Sequence, residues 1–143
     1  MKATYTPTAA PRHSIWGAVD YADQVAPGWW SVGTPGHGGF ILSAERVAAI
    51  PCAHLDASFG REGHRGNFEE DCDWCIPALA FPEEFRAWAN RHGKDGDKYL
   101  DAAIETLTTG SRPRCPTTHT EEHRHGNQNH TRRPGSWPGA VLG

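Results

Sequence analysis

No apolar run in this 143-residue sequence approaches the ~20 residues that a membrane-spanning helix needs, so no span is expected. The opening stretch MKATYTPTAAPRHS has no apolar core segment, and a secretory signal is not expected there either. The single CxxC has no second copy, no Gly-x-Ser-x-Gly elbow occurs, and no Lys-Ser/Thr follows the glycine-rich stretch. These three absences disfavour, in turn, a four-cysteine zinc module, a nucleophile-elbow hydrolase and a phosphate loop. The four cysteines are expected to be reduced or metal-bound rather than disulfide-paired, and a cytoplasmic location is the default. Hydrophobic residues amount to 37%, below the usual globular share, which predicts a modest core.

Turn-forming residues and large aromatics fill much of the remainder. Sixteen glycines and eleven prolines predict many turns, and six tryptophans offset the shortage of aliphatic residues, because large aromatics dominate the energetics of a small core. The net charge of −3 hides an asymmetry. Residues 1–110 hold 9 Lys/Arg against 15 Asp/Glu, while residues 111–143 hold 5 Arg against 2 Glu. An acidic body disfavours a body-wide nucleic-acid footprint and leaves the basic tail as the one segment suited to polyanions.

Along the chain, residues 1–14 read as a flexible arm, 15–110 as a single α+β domain, and 111–143 as a disordered, basic tail that contains histidines. Residues 15–21 suit a strand, Ala26-Pro27-Gly28 a type II turn, and 29–32 a second strand. Residues 33–39 form a loop by composition, with four glycines free to take positive φ or to approach another chain closely. Phe40-Ile41-Leu42 reads as a short strand or the lead into a helix over 44–50, which Ser43 caps and Pro51 ends. Residues 52–66 look irregular. Asn67 is expected to cap a second helix carrying Glu69, Glu70 and Asp71 in its first turn, ended or kinked at Pro77. A third helix opens at Pro82 and stops at Gly93, and a fourth, capped by Asp97, presents Tyr99, Leu100, Ala103, Ile104 and Leu107 as one stripe. The expected architecture is a small antiparallel sheet over about residues 15–42, covered by three or four helices. From Pro116 to Ser136 there is no apolar residue, so that stretch cannot offset its ordering entropy.

Chemistry concentrates in three places. The loop Thr34-Pro35-Gly36-His37-Gly38-Gly39 offers backbone amides for an anion and a histidine as base, acid or ligand; the plainer reading is a tight connection. Glu69, Glu70 and Asp71, followed by Trp74, can hold a divalent cation or divide acid and base roles, whereas in a helical first turn they merely complement the dipole. Cys72 and Cys75, with Cys52 and His54, make a formal zinc quartet, although buried structural cysteines are the simpler account. The tail histidines His119, His123, His125 and His130 have no packed scaffold around them in sequence.

The series Trp16-Gly17, Pro27-Gly28, Val32, Thr34-Pro35, His37-Gly38-Gly39, Leu42-Ser43, Glu45-Arg46, Ile50-Pro51, Glu69-Glu70-Asp71, Trp74 and Phe81-Pro82 resembles an uncharacterised domain family of bacteriophages and proteobacteria. The resemblance covers about residues 15–85 and leaves 95–143 outside. It implies a phage or mobile-element accessory protein in the host cytoplasm, with a host or phage protein as partner, and it carries over no catalytic residues. Two functional expectations follow. One is an interaction module whose Gly/His loop and acidic segment form a single surface, with no cofactor. The other is a small metal-assisted hydrolase or transferase, with His37 and Glu70 as catalytic candidates and a divalent ion held by Glu69, Glu70 or Asp71.

Overall fold

The structure, a computed structural model, describes residues 3–109. Expectations for the tail, including its histidines and its polyanion contact, lie outside the described residues.

Four strands form an antiparallel sheet in the order β3 (Tyr21–Ala26), β4 (Trp29–Gly33), β5 (Gly38–Leu42) and β6 (Asn67–Glu69). They follow a small hairpin of β1 (His13–Ser14) and β2 (Gly17–Ala18), which replaces the single strand expected over 15–21. Pro27 and Gly28 make the expected turn, with Gly28 at φ 78°. The register pairs Trp29 with Leu42, Ser31 with Phe40, and Phe40 in turn with Phe68, so one face of the sheet is aromatic and faces the helices. There the Phe40 ring lies 5.2 Å from Trp29, 5.5 Å from Trp88 and 6.3 Å from Phe85.

Among the described residues, five α-helices cover that face or extend the fold: α1 (Ala44–Ala48), α2 (Cys52–Asp56), α3 (Cys75–Ala80), α4 (Pro82–Arg91) and α5 (Gly96–Thr109). Ser43 caps α1 as expected, accepting a hydrogen bond from the Arg46 amide. Residues 52–66 are more regular than expected, since α2 and a 3-10 segment (Phe59–Arg65) occupy them. The cap of α5 is Asp95 rather than Asp97: Asp95 Oδ1 accepts from the Lys98 amide at 3.1 Å, while Asp97 accepts from Arg86 Nε at 2.7 Å. Leu100 and Ala103 of the α5 stripe are buried, and Ile104 points outward.

The helix expected after Asn67 does not form. Residues 67–69 are β6, and Glu69-Glu70-Asp71 runs from the strand end into a turn. Phe68 explains the outcome. Its fully buried ring contributes ~1.5–3 kcal/mol, and a strand adds ladder bonds to β5, against ~1 kcal/mol for a cap and less for each dipole contact. The acidic residues follow wherever the Phe68 ring takes the chain.

The N-terminal segment is tied down rather than loose. Tyr5 packs edge-on against Phe81 at 5.6 Å, the Thr6 amide donates to Glu45 at 2.9 Å, and Trp30 Nε1 donates to Thr8 at 3.1 Å. Beneath Tyr5 lies Arg46, fully buried. Its Nε donates to the Pro27 carbonyl at 2.7 Å, and its two terminal nitrogens donate to the two oxygens of Glu84 at 2.8 and 3.0 Å. One side chain thus joins α1, the β3–β4 turn, α4 and the N-terminal segment.

Candidate functional site

With both strands paired to their ends, the expected seven-residue glycine loop shrinks to residues 34–37. Thr34 closes it: its amide and hydroxyl donate to the His37 carbonyl, each at 2.8 Å, and its hydroxyl oxygen accepts from the His37 amide at 3.1 Å. Gly33, Gly36, Gly38 and Gly39 all have ordinary φ, so the expected left-handed freedom is not used here. Close approach is. A Cβ on Gly38 would meet the Glu70 carboxylate and the Val32 carbonyl, and one on Gly39 would meet the Phe68 carbonyl, the Trp16 ring at 2.7 Å and Glu69 Cα at 3.1 Å.

These contacts yield a prediction with opposite signs along one short stretch. Gly39→Ala forces β6 or Trp16 to move and is expected to lose about 1–3 kcal/mol, whereas Gly36→Ala meets nothing within 4 Å and is expected to be neutral or to gain up to about 1 kcal/mol. Urea unfolding of the two variants measures both. Equal effects would remove the role given to Gly39.

Pairing of β6 with β5 brings the two distinctive blocks of the sequence together. His37 Nδ1 lies 3.3 Å from Glu69 Oε2, Glu69 Oε1 accepts from the Asp71 amide at 3.0 Å, and the Glu70 amide donates to the Gly38 carbonyl at 3.0 Å. Because the Asp71 amide holds one Glu69 oxygen, the other is set toward the imidazole. Donation from Nδ1 would place the neutral ring's lone pair on Nε2, the arrangement of an oriented histidine base. His37 is 44% exposed and Glu69 14%, and an exposed pair of this kind contributes at most about 1 kcal/mol to stability. The contact shapes a surface more than it holds the fold.

Not every expected site residue joins this surface. Trp74 packs against Phe85 at 5.9 Å and Tyr99 at 6.2 Å, on the helical side of the domain. The zinc quartet does not assemble: Cys52 is exposed and Cys75 buried, and among the described residues no group of three His, Cys, Asp or Glu could hold a metal ion.

A second titratable cluster escaped the sequence reading. Asp23 Oδ2 accepts from Trp88 Nε1 at 2.6 Å and lies 3.3 Å from His92 Nε2, while His92 Nδ1 faces the Trp88 carbonyl at 3.0 Å. With both ring nitrogens engaged, His92 clasps β3 to α4 and has no position left for a substrate. Burial first and Asp23 second push the Tyr21 phenol up to about 12, so it stays protonated. Asp23 and Trp88 lie 65 residues apart, and no local pattern pairs them. Trp16, laid over Gly39 by a hairpin only two residues deep on each side, was equally illegible.

A family profile described as a domain of unknown function, DUF7007, matches residues 9–137. The chain belongs to the DUF7007 family. The DUF7007 match reaches well past residues 15–85, the span of the expected resemblance; α5 falls inside it, as does most of the stretch from 95 onward. No curated protein and no solved structure matches the chain. Within the described part of this DUF7007 domain, no helix is long and apolar enough to cross a membrane.

Proposed function

We propose that this chain is a phage or mobile-element accessory protein that works as an interaction module. Its binding surface comprises Thr34, Gly36, His37, Gly38 and Gly39 with Glu69, Glu70 and Asp71, and it acts in the host cytoplasm on a host or phage protein. The observation that supports this reading most is the 3.3 Å contact of His37 with Glu69, which makes one surface of two blocks separated by 32 residues. That pairing contributes little stability, and conformational stability alone supplies little reason for a histidine and three acidic residues at that edge.

His37→Ala and Glu70→Ala test the reading in the full chain. Because the exposed His37–Glu69 pair is worth at most about 1 kcal/mol, His37→Ala is expected to melt close to the parent, and both variants are expected to lose capture of the partner from host extract. Variants that melt normally and capture the same partner to the same extent would overturn it.

A second reading has one observation behind it. A small hydrolase or transferase needs an oriented base, and His37 against the amide-held Glu69 has that form. A divalent-metal version also needs a third ligand beside this pair, and among the described residues no such group forms.

A further inference from the structure

The hairpin β1–β2 turns on residues that turn chemistry does not favour. Ile15 and Trp16 are the two central residues, and Ser14 pairs with Gly17 across them. Two-residue hairpin loops draw on glycine, asparagine or aspartate, whose positive φ gives the turn the twist of its strands. Ile15 and Trp16 both keep negative φ, and in this hairpin Gly17 alone takes a positive value, 122°. The turn holds because the Ser14 hydroxyl accepts from the Trp16 amide at 3.0 Å and donates to the Gly17 carbonyl at 2.9 Å. With only two residues in each strand, such a hairpin is not stable in water by itself.

The two apolar residues of the turn have different fates. Trp16 serves the fold: its ring covers Gly39 on the face of the sheet opposite Phe40, so close that a Cβ at Gly39 would lie 2.7 Å from Trp16 Cη2. Ile15 is 54% exposed at the tip. A lone exposed apolar side chain needs no explanation, but this one also holds a turn position that asparagine or glycine would suit better. It weakens the turn and gains little burial in return. Its location gives it another use. Gly39 is the ladder partner of Glu69, so Trp16 lies beside Glu69 and Ile15 stands at the margin of the His37–Glu69 surface.

We infer that Ile15 is the apolar anchor of the interface proposed above, and that the partner is a protein with a pocket for one branched aliphatic side chain. The inference rests on the interaction-module reading and deepens it. The Gly/His surface is polar, and in protein interfaces polar contacts set the register while a few desolvated anchors carry most of the affinity. A single exposed side chain on a narrow two-stranded tip fits a pocket rather than a flat apolar face. Trp16 positions that tip by packing on Gly39.

Titration calorimetry tests the inference, with the protein whose capture from host extract is lost in His37→Ala purified as the probe. Against the full-chain parent, Ile15→Val removes one methylene and should bind about three- to five-fold more weakly. Ile15→Asn should bind at least about ten-fold more weakly. Both differences should persist at about 1 M salt, where charges are screened within ~3 Å. The urea midpoint of Ile15→Asn should equal or exceed that of the parent, since asparagine suits the turn. Unchanged affinity in Ile15→Asn overturns the inference and leaves the reading of the His37 surface intact. A midpoint below that of the parent makes Ile15 a packing residue and overturns it as well. A parent dimer that Ile15→Asn dissociates, seen by light scattering, gives the tip to a second copy of the chain and overturns a separate partner. If every captured protein is still captured by His37→Ala, the interaction-module reading fails and the inference fails with it.

Discussion

Replacing Glu84 with alanine is expected to destabilise the domain by about 3–5 kcal/mol, toward the lower figure because the Glu84 side chain is 34% exposed. The loss comes from what stays behind. Arg46 has no exposed surface, so without Glu84 its guanidinium keeps only the Pro27 carbonyl and the aromatic faces, and two sets of N–H donors lose their acceptor. In a domain whose whole stability is of the order of 5–15 kcal/mol, such a loss lowers the melting temperature by roughly 4–8 °C per kcal/mol. Arg46→Met distinguishes this account from simple loss of packing. It removes the buried charge and keeps an unbranched apolar chain between Tyr5 and Phe81, and on that background Glu84→Ala should cost less than about 1 kcal/mol. Urea denaturation of the two single variants and the double variant gives the coupling directly. A Glu84→Ala effect of the same size on both backgrounds would show that the pair is not what holds the N-terminal segment, α1 and α4 together. Arg46→Lys should not substitute, since an ammonium cannot make the two-pronged contact with both Glu84 oxygens.

Phe68→Ala is expected to have an effect as large, about 3–5 kcal/mol, the range for truncating a buried phenylalanine. Its second consequence concerns the site. β6 has only three residues and pairs with β5 through Gly39, Phe40 and Ile41, so the Phe68 ring is the main apolar anchor of the strand. Loss of that anchor should release Glu69 from His37 before the domain as a whole unfolds. Hydrogen exchange reports it: the Glu70 amide, which donates to the Gly38 carbonyl at 3.0 Å, should exchange at a rate close to that of an open chain while the β3–β4 amides remain protected. Unchanged protection at Glu70 would mean that β6 is held by something other than its central ring. Phe68→Leu should retain most of the anchor and give an intermediate result.

The two predictions mark the boundary between local and non-local instruction in this chain. Where the deciding forces act within a few residues, the sequence alone was sufficient. Ser43 caps α1 because its hydroxyl reaches an amide three residues on. Pro27-Gly28 turns because proline sets φ and Gly28 takes φ 78°. Pro82 opens α4, and His92 with Gly93 closes it, for equally local reasons. The class of fold followed from these signals, as did the strand at 29–32 and the last two helices, while 40–42 stood open between a strand and a helix lead.

Where a local preference met a distant partner, local reading failed. Asn67 followed by three acidic residues has the form of a helix start, but the pairing of Phe68 with Phe40 made it a strand. The glycines at 38 and 39 indicate loop by composition; their lack of side chains in fact lets Glu70, Trp16 and β6 come close to β5. Arg46 resembles any solvated arginine on a short helix, and only the meeting of Tyr5, Phe81 and Glu84 around it makes it the most deeply buried charge of the domain. The sequence by itself determined an α+β domain with its turns, its caps and a candidate list that contained both His37 and Glu69. The tertiary structure alone decided that those two residues touch and that Trp74 belongs to the core. Capping and turn energies act over one to five residues, whereas strand pairing and burial act between residues that the chain separates by tens of positions.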